Sequence, residues 1–414
     1  MAQDADRKQA LYEQLCAMPT VDAHEHLHPE PMRTGRQVDI FLLFHQYLVV
    51  DLESAGMDPE AANALGDENV PLDRKWDSIA PYLDLVTSGS VAGPPLAALR
   101  RLFDAEALTK DNYAELTEKM RAHNAPGLYE RVLRESCNID TVLNQNLTMW
   151  QTDLFRPILF ESSFIGTGTR QSLQDAVAAD GLELSPTLQG YVERMEDLLT
   201  KRRQEGMVGV KGFATAYEPG DAAAAGPAYQ RLIADQARDG DANAVLRYLR
   251  DRMYEFCGKL NLVAVLHSGI WAGNWADIET IRPTHVTALA CAHRKTRFDL
   301  FHAASPQPAD AGFLGRSLPN VYLNSCWSHL LSPNLTLQAW DMWLDMMPLN
   351  RVMAWGGDYW WAVENVWGAL DKVRQMLAEL LARRMARGDF SEARVLQIAR
   401  RWMHDNAREV YFLE

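Results

Sequence analysis

The sequence predicts an α/β fold: a (β/α)8, TIM-like barrel with a helical insertion after its first strand. Three observations predict it. Eight short apolar runs recur along the 414 residues, most bounded by polar or Gly/Pro punctuation. Helical text separates most of them, and strand alternating with helix points to parallel pairing, which at eight repeats closes on itself. The first, fifth, sixth and eighth runs end on His26, His267, His302 and Asp358. Strands of a parallel barrel end at one mouth, so these side chains converge there.

In chain order the runs are 20–26, 139–143, 157–162, 208–213, 262–267, 297–302, 321–326 and 352–358. Helical stretches lie at 172–205, 227–260 and 334–347. The gap between the first two runs is far too long for one crossover. It carries aromatic and acidic helical text at 41–56, 76–86, 96–103, 112–122 and 128–136, with loop chemistry at 88–95. The barrel is therefore expected from residues 1–26 and 139–414, and residues 27–138 form an inserted helical lobe that overhangs the mouth. Residues 218–227, with their alanine run, read as a surface loop. After Asp358 the text is helical: Val395, Ile398, Ala399, Trp402 and Met403 keep a helical spacing, Asp389 and Glu392 are placed like a capping box, and the segment is expected to pack outside the barrel.

Hydrophobic residues at 47% and charged residues at 23% suit a globular chain with a sizeable core. A net charge of −14 without a basic cluster argues against a nucleic-acid partner. Lys201, Arg202 and Arg203 stand beside Glu193, Glu196 and Glu205 and read as a solvated face. Five scattered cysteines without a Cys-x-x-Cys pair form neither a disulfide framework nor a zinc knuckle. The polar start and the lack of a long apolar run predict a cytoplasmic protein without a membrane partner. The expected partners are a small-molecule substrate and, through residues 47–52 and the aromatic insertion, a second copy of the chain in a homo-oligomer.

Residues i and i+2 of a strand share a face, so His24 and His26 can aim at one point. With His267 they supply three nitrogens, and Asp358 adds an oxygen. That set suits zinc first, and manganese, cobalt or iron as well, as one or two ions. His302 is placed to bind a second metal, polarise a carbonyl or shuttle a proton. Lys211, flanked by glycines in the fourth run, is costly to bury unless it works or pairs. Three readings stay open for it: a carbamylated lysine bridging two metals, a cation for a substrate carboxylate, or a surface residue. Trp271, Trp327, His329 and Tyr359 follow strand ends and are expected to line an aromatic-walled cavity, with Arg156 as a further grip on a substrate carboxylate.

His24-x-His26, His267, His302 and Asp358, with residues 298–303, 320–327 and 356–358 and the late Asn406-Ala407, resemble the amidohydrolase superfamily and its amidohydrolase-2 subgroup. The long helical insertion is similar to that of uronate isomerases in the same superfamily. The resemblance implies that His24, His26, His267 and Asp358 hold the main metal and that Asp358 takes a proton from an activated water. It makes His302 a second-site ligand or substrate-orienting group, and puts Lys211 where binuclear members carry a carbamylated lysine. The implied activity is metal-dependent hydrolysis of an amide, ester or lactone in a small organic substrate. The alternative on the same barrel is decarboxylation of an aromatic acid or aldose-ketose isomerisation of a uronate.

Overall fold

The computed structural model describes residues 2–146 and 148–413. Eight strands run parallel in the order of the chain: β1 Thr20–Glu25, β2 Ile139–Asn146, β3 Phe155–Phe160, β4 Gly209–Phe213, β5 Val263–His267, β6 Arg297–Leu300, β7 Val321–Asn324 and β8 Val352–Met353. Helices connect them, and the (β/α)8 expectation holds. β8 is shorter than its apolar run because the chain beyond Met353 leaves regular geometry to meet β1. The Ala23 and His26 amides donate to the Trp355 and Tyr359 carbonyls, and the Asp358 amide donates to His24 O at 2.9 Å. This seam brings the last strand against the first. Only glycine fits it: a Cβ on Gly356 would lie 2.6 Å from Cys326 Cβ, and one on Gly357 1.9 Å from Glu25 Oε1.

The interior of the barrel is a compact apolar cluster that includes Val21, Ala23, Leu143, Ile158, Val263, Val265, Phe301 and Met353. Its floor comes from the C-terminus. Ala407, Val410 and Tyr411 join this interior cluster, and Tyr411 Oη donates to Asp299 Oδ2 at 2.5 Å. The expectation that the whole C-terminal segment packs outside is therefore corrected: Val395, Ile398, Trp402 and Met403 do so, and the last turn turns inward. The helix there is capped by Ser391, which accepts from the Arg394 amide, while Asp389 pairs with Arg384 and Arg387. The alanine run read as loop is the start of helix Ala222–Ile233, with Asp221 as its cap. Alanine has the highest helix propensity, and a capped alanine run needs no apolar periodicity to form one.

Residues between β1 and β2 form helices around a second apolar cluster built from Val38, Ile40, Phe41, Leu52, Ile79, Leu99, Met120 and their neighbours. The single helix expected over 41–56 is broken: a 3-10 turn Ile40–Phe44 and helix Leu48–Ser54 flank Gln46, whose φ is +52°. Leu48, Val49 and Leu52 are buried in the lobe core, while Tyr47, Val50 and Asp51 are partly exposed. Arg33 fastens the lobe to the barrel. It is fully buried, donating to Glu364 Oε1 at 2.8 Å on helix Glu364–Ala386, to Trp361 O at 2.6 Å and to Asn124 Oδ1. All five cysteines are free. No helix of the described residues is long and apolar enough to cross a membrane.

Arg33→Met leaves the Glu364 carboxylate buried without its cation and is expected to destabilise the chain by about 3–5 kcal/mol, read from chemical denaturation. Asp299 generates a second expectation. Burial lifts its pKa to about 7, against the hydrogen bonds from Tyr411 and Asn324. A raised carboxyl pKa gives stability that is full below the unfolded value near ~4 and drains away up to about 7, at a slope of at most ~1.4 kcal/mol per pH unit. Asp299→Asn cannot ionise, so its melting temperature should gain on that of the parent between those pH values and track it above them.

Candidate metal centre

The paired histidines reach the mouth through a bulge. Asp22 pairs with Val142 and Glu25 with Asn144, so β1 advances three residues against two. Val21 and Ala23 face the interior, and the extra residue lets His24 face it too, its ring 4.5 Å from that of Phe301. The carboxyls beside the bulge hold the seam. Asp22 Oδ1 accepts from the amides of His24 and Gly357, each at 3.2 Å, and Glu25 Oε2 accepts from Tyr359 N at 2.5 Å. Burial raises both pKa values, that of Asp22 to about 7.

Three ligand atoms converge at this point. His24 Nε2 and His26 Nε2 are 3.1 Å apart, and Asp358 Oδ1 lies 3.1 and 3.0 Å from them. Among the described residues, His24, His26 and Asp358 are the group whose donor atoms fit around one cation. Burial works against the Asp358 charge, yet the two histidines outweigh it and hold its pKa well below the usual carboxylate range. Burial, helped by Lys211, pushes His24 well below an ordinary imidazole. An ionised carboxylate beside a neutral imidazole is the ligand form a divalent ion requires.

Asp358 is held from the lobe. Its φ is +67°, a strained conformation for a side-chain-bearing residue. Gln46 Nε2 donates to its carbonyl at 2.8 Å, Tyr47 Oη donates to the same oxygen, and the next amide, Trp360 N, returns a bond to Gln46 Oε1 at 3.0 Å. These bonds account for the broken helix at Gln46.

His267 stands beside the first group, paired with His302. Its Nε2 is 2.6 Å from Ile270 O, and a carbonyl only accepts, so the ring proton sits there and Nδ1 is bare. His302 has left-handed geometry just past β6, and its Nδ1 faces Cys326 O at 3.1 Å, which leaves its Nε2 bare in turn. The two bare nitrogens face each other at 3.1 Å. Burial keeps both rings neutral, His267 with a pKa of about 4 and His302 well below the usual range. Two lone pairs in opposition need a cation or a proton between them. Lys211 enters neither group: its Nζ stands 3.7 Å over the Phe301 ring, and burial lowers its pKa to about 8.

A cavity of about 410 Å3 opens over these groups. His26, Lys211, His267 and Asp358 line it together with Trp271, as expected. Trp327, His329 and Tyr359 do not. Trp327 is buried beneath, against Tyr47 and His302. The left-handed turn at Trp327 begins helix Ser328–Leu331 and carries His329 away to Trp355, where burial lowers its pKa to about 3. Tyr359 is enclosed under Tyr47. Arg156 is also corrected: it stands at the start of β3, the opposite end from the mouth, with Nη1 bonded to Thr152 O at 2.7 Å. Sequence reasoning passed over Gln145, Phe160, Phe213, Asn274 and the lobe residue Gln46, and set His45 aside as structural; all of them line the cavity. Gln145 was within reach, since it stands just past the second apolar run, at the mouth end of its strand.

The family model described as amidohydrolase matches residues 158–413. The chain belongs to the amidohydrolase family of metal-dependent enzymes. Over its whole length the chain is similar in structure to two isomerases. Glucuronate isomerase from Caulobacter crescentus superposes with a TM-score of 0.82 at 14% identity, covering 99% of this chain and 95% of that one. Uronate isomerase from Thermotoga maritima gives 0.80 at 12% identity, covering 98% and 97%. In sequence the amidohydrolase is 25% identical over 152 residues to protein fluG of Emericella nidulans; the match takes in 36% of this chain and 17% of that protein.

The lobe's bonds to Asp358 set an expectation. Tyr47→Phe removes one donor from the Asp358 carbonyl, and the affinity for zinc should fall about 10–100-fold, measured by competition with a chromogenic chelator, with the fold retained in circular dichroism.

Proposed function

We propose that this amidohydrolase hydrolyses an amide, ester or lactone bond in a small organic substrate with an apolar body. The observation that carries the reading is the convergence of His24, His26 and Asp358 within about 3 Å of one another on the wall of the cavity. His24, His26 and Asp358 would hold a divalent cation, which would supply Lewis acidity and bring the pKa of a water towards ~7. Asp358 Oδ1 faces both imidazoles, and Oδ2 is left to take the proton of the attacking water and return it to the leaving group. The bare nitrogens of His267 and His302 offer a further cation or proton site beside it. Val49, Val50, Phe160, Phe213, Trp271 and Trp360 form an apolar part of the remaining wall, against which an organic body can pack.

A second reading is aldose-ketose isomerisation of a uronate. It is supported by the likeness to uronate isomerases along the entire chain, lobe included. On this reading Asp358 takes the proton from one carbon of the sugar acid and returns it to the adjacent carbon.

Water labelled with heavy oxygen separates the two. A hydrolase places one label in the acid product as the bond is cut, whereas an isomerase leaves the substrate's mass unchanged; conversion of glucuronate without cleavage of any ester, amide or lactone would overturn the hydrolytic reading. Under either reading Asp358→Asn should lower kcat/KM by about a thousandfold while the chain stays folded.

A further inference from the structure

We propose that the cavity receives its substrate through a carboxylate, seated between the Lys211 ammonium and the side-chain amide of Gln145, with the apolar body against Phe160, Phe213 and Trp271. This deepens the reading of the cavity as the reaction site and rests on it. Lys211 is 2% exposed on β4, yet among the described residues no carboxylate forms an ion pair with it, and the Asp358 charge acts on it only through space. Its Nζ stands over the face of Phe301, 3.7 Å from the ring centre. A buried ammonium is stable only when something satisfies it, and one aromatic face leaves its hydrogen-bond donors unused. The cavity is where those donors open, because Lys211 lines it.

Gln145 reports the same vacancy from two strands away. It is 2% exposed on β2 and lines the cavity, and its Oε1 has no hydrogen-bond partner. A primary amide turned by 180° exchanges its oxygen for its NH2, so the same side chain presents two donors to an anion. Between the two stands Phe160, paired in register with Lys211, which supplies apolar surface and no competing acceptor. The chemistry of the pair selects the ligand. One ammonium and one amide match a planar monoanion, whereas a phosphate dianion calls for several cations or a guanidinium fork. The acidic groups that reach the cavity, Asp358 and Glu53, are engaged elsewhere, Asp358 with the histidines and Glu53 with Asn274 at 2.8 Å.

The test uses the metal-loaded protein and two neutral-pH probes of equal shape, phenylacetate and phenylacetamide, with binding followed by calorimetry or by the fluorescence of Trp271 and Trp360. The acid is expected to bind at least tenfold more tightly than the amide. Lys211→Met, which fills the space without charge, should bring the acid to within about twofold of the amide, and Gln145→Leu should cut the acid's lead several-fold. Equal binding of the two probes by the parent protein overturns the proposal without recourse to any variant. So does an undiminished lead in a folded Lys211→Met protein, which places the carboxylate on the metal, and so does a carbamate carbon signal after equilibration with labelled bicarbonate, which makes Lys211 a ligand. An acid preference in a protein that never incorporates heavy oxygen from water would keep this subsite and reject hydrolysis; the opposite pattern would do the reverse.

Discussion

Closure of the barrel is the constraint on which the site depends. The last strand reaches the first through three main-chain hydrogen bonds, and one of them runs from the Asp358 amide to the His24 carbonyl. The backbone bond that joins the two ends of the sheet therefore also sets the separation of two proposed ligands. For the strands to approach this closely, Gly356 and Gly357 must lack side chains, because Cys326, His24 N and Glu25 fill the space a Cβ would take. Asp22 and Glu25 then tie the seam from beneath, each accepting from an amide of the incoming chain. Their raised pKa values are the electrostatic consequence of placing acceptors where no water and no cation can reach them.

The lobe completes what the seam begins. Asp358 needs a left-handed backbone to turn its carboxylate towards the histidines, a conformation that costs about 1–3 kcal/mol and persists only when its surroundings over-determine it. Gln46 and Tyr47 supply that determination from the other side of the mouth. A burial-raised pKa keeps Tyr47 protonated and therefore a donor. The insertion is thus coupled to the proposed metal centre through a carbonyl oxygen, and a motion that lifts the lobe loosens a ligand as well as opening the cavity. Arg33 and Glu364, buried together, resist such a motion at the far end of the lobe.

Much of this was legible in the sequence for a simple reason. Parallel strands share one direction, so a residue at the end of an apolar run can be assigned to the mouth without knowing any contact; His26, His267, His302 and Asp358 were placed by that rule, and His24 by sharing a strand face with His26. It failed where chemistry was allowed to override position. Arg156 opens its strand and so belongs to the opposite end, whereas Gln145 closes its strand and lines the cavity. Other features have no local signature. The break at Gln46 exists because of a carbonyl more than 300 residues away, and the inward turn of Tyr411 exists because Asp299 waits inside the barrel. The pairing of His267 with His302 follows from hydrogen bonds to Ile270 O and Cys326 O, which orient the two rings and which no periodicity encodes.

The likeness to uronate isomerases and the character of the cavity pull in different directions, and the physical weight lies with the cavity. A shared fold at 12–14% identity fixes where a site lies and what kind of metal chemistry it can host, not what it recognises. A uronate carries a hydroxyl on nearly every carbon, and each one buried without a partner forfeits its hydration. Phe160, Phe213, Trp271, Trp360, Val49 and Val50 offer no such partners, whereas they return free energy for every apolar carbon placed against them. Polar groups line the cavity from two sides: Lys211 and Gln145 with the ligand set on the barrel, and His45, Gln46, Glu53 and Asn63 on the lobe. A substrate with an apolar body therefore fits the aromatic part of the wall, with polar partners for its remaining groups on the barrel and on the lobe.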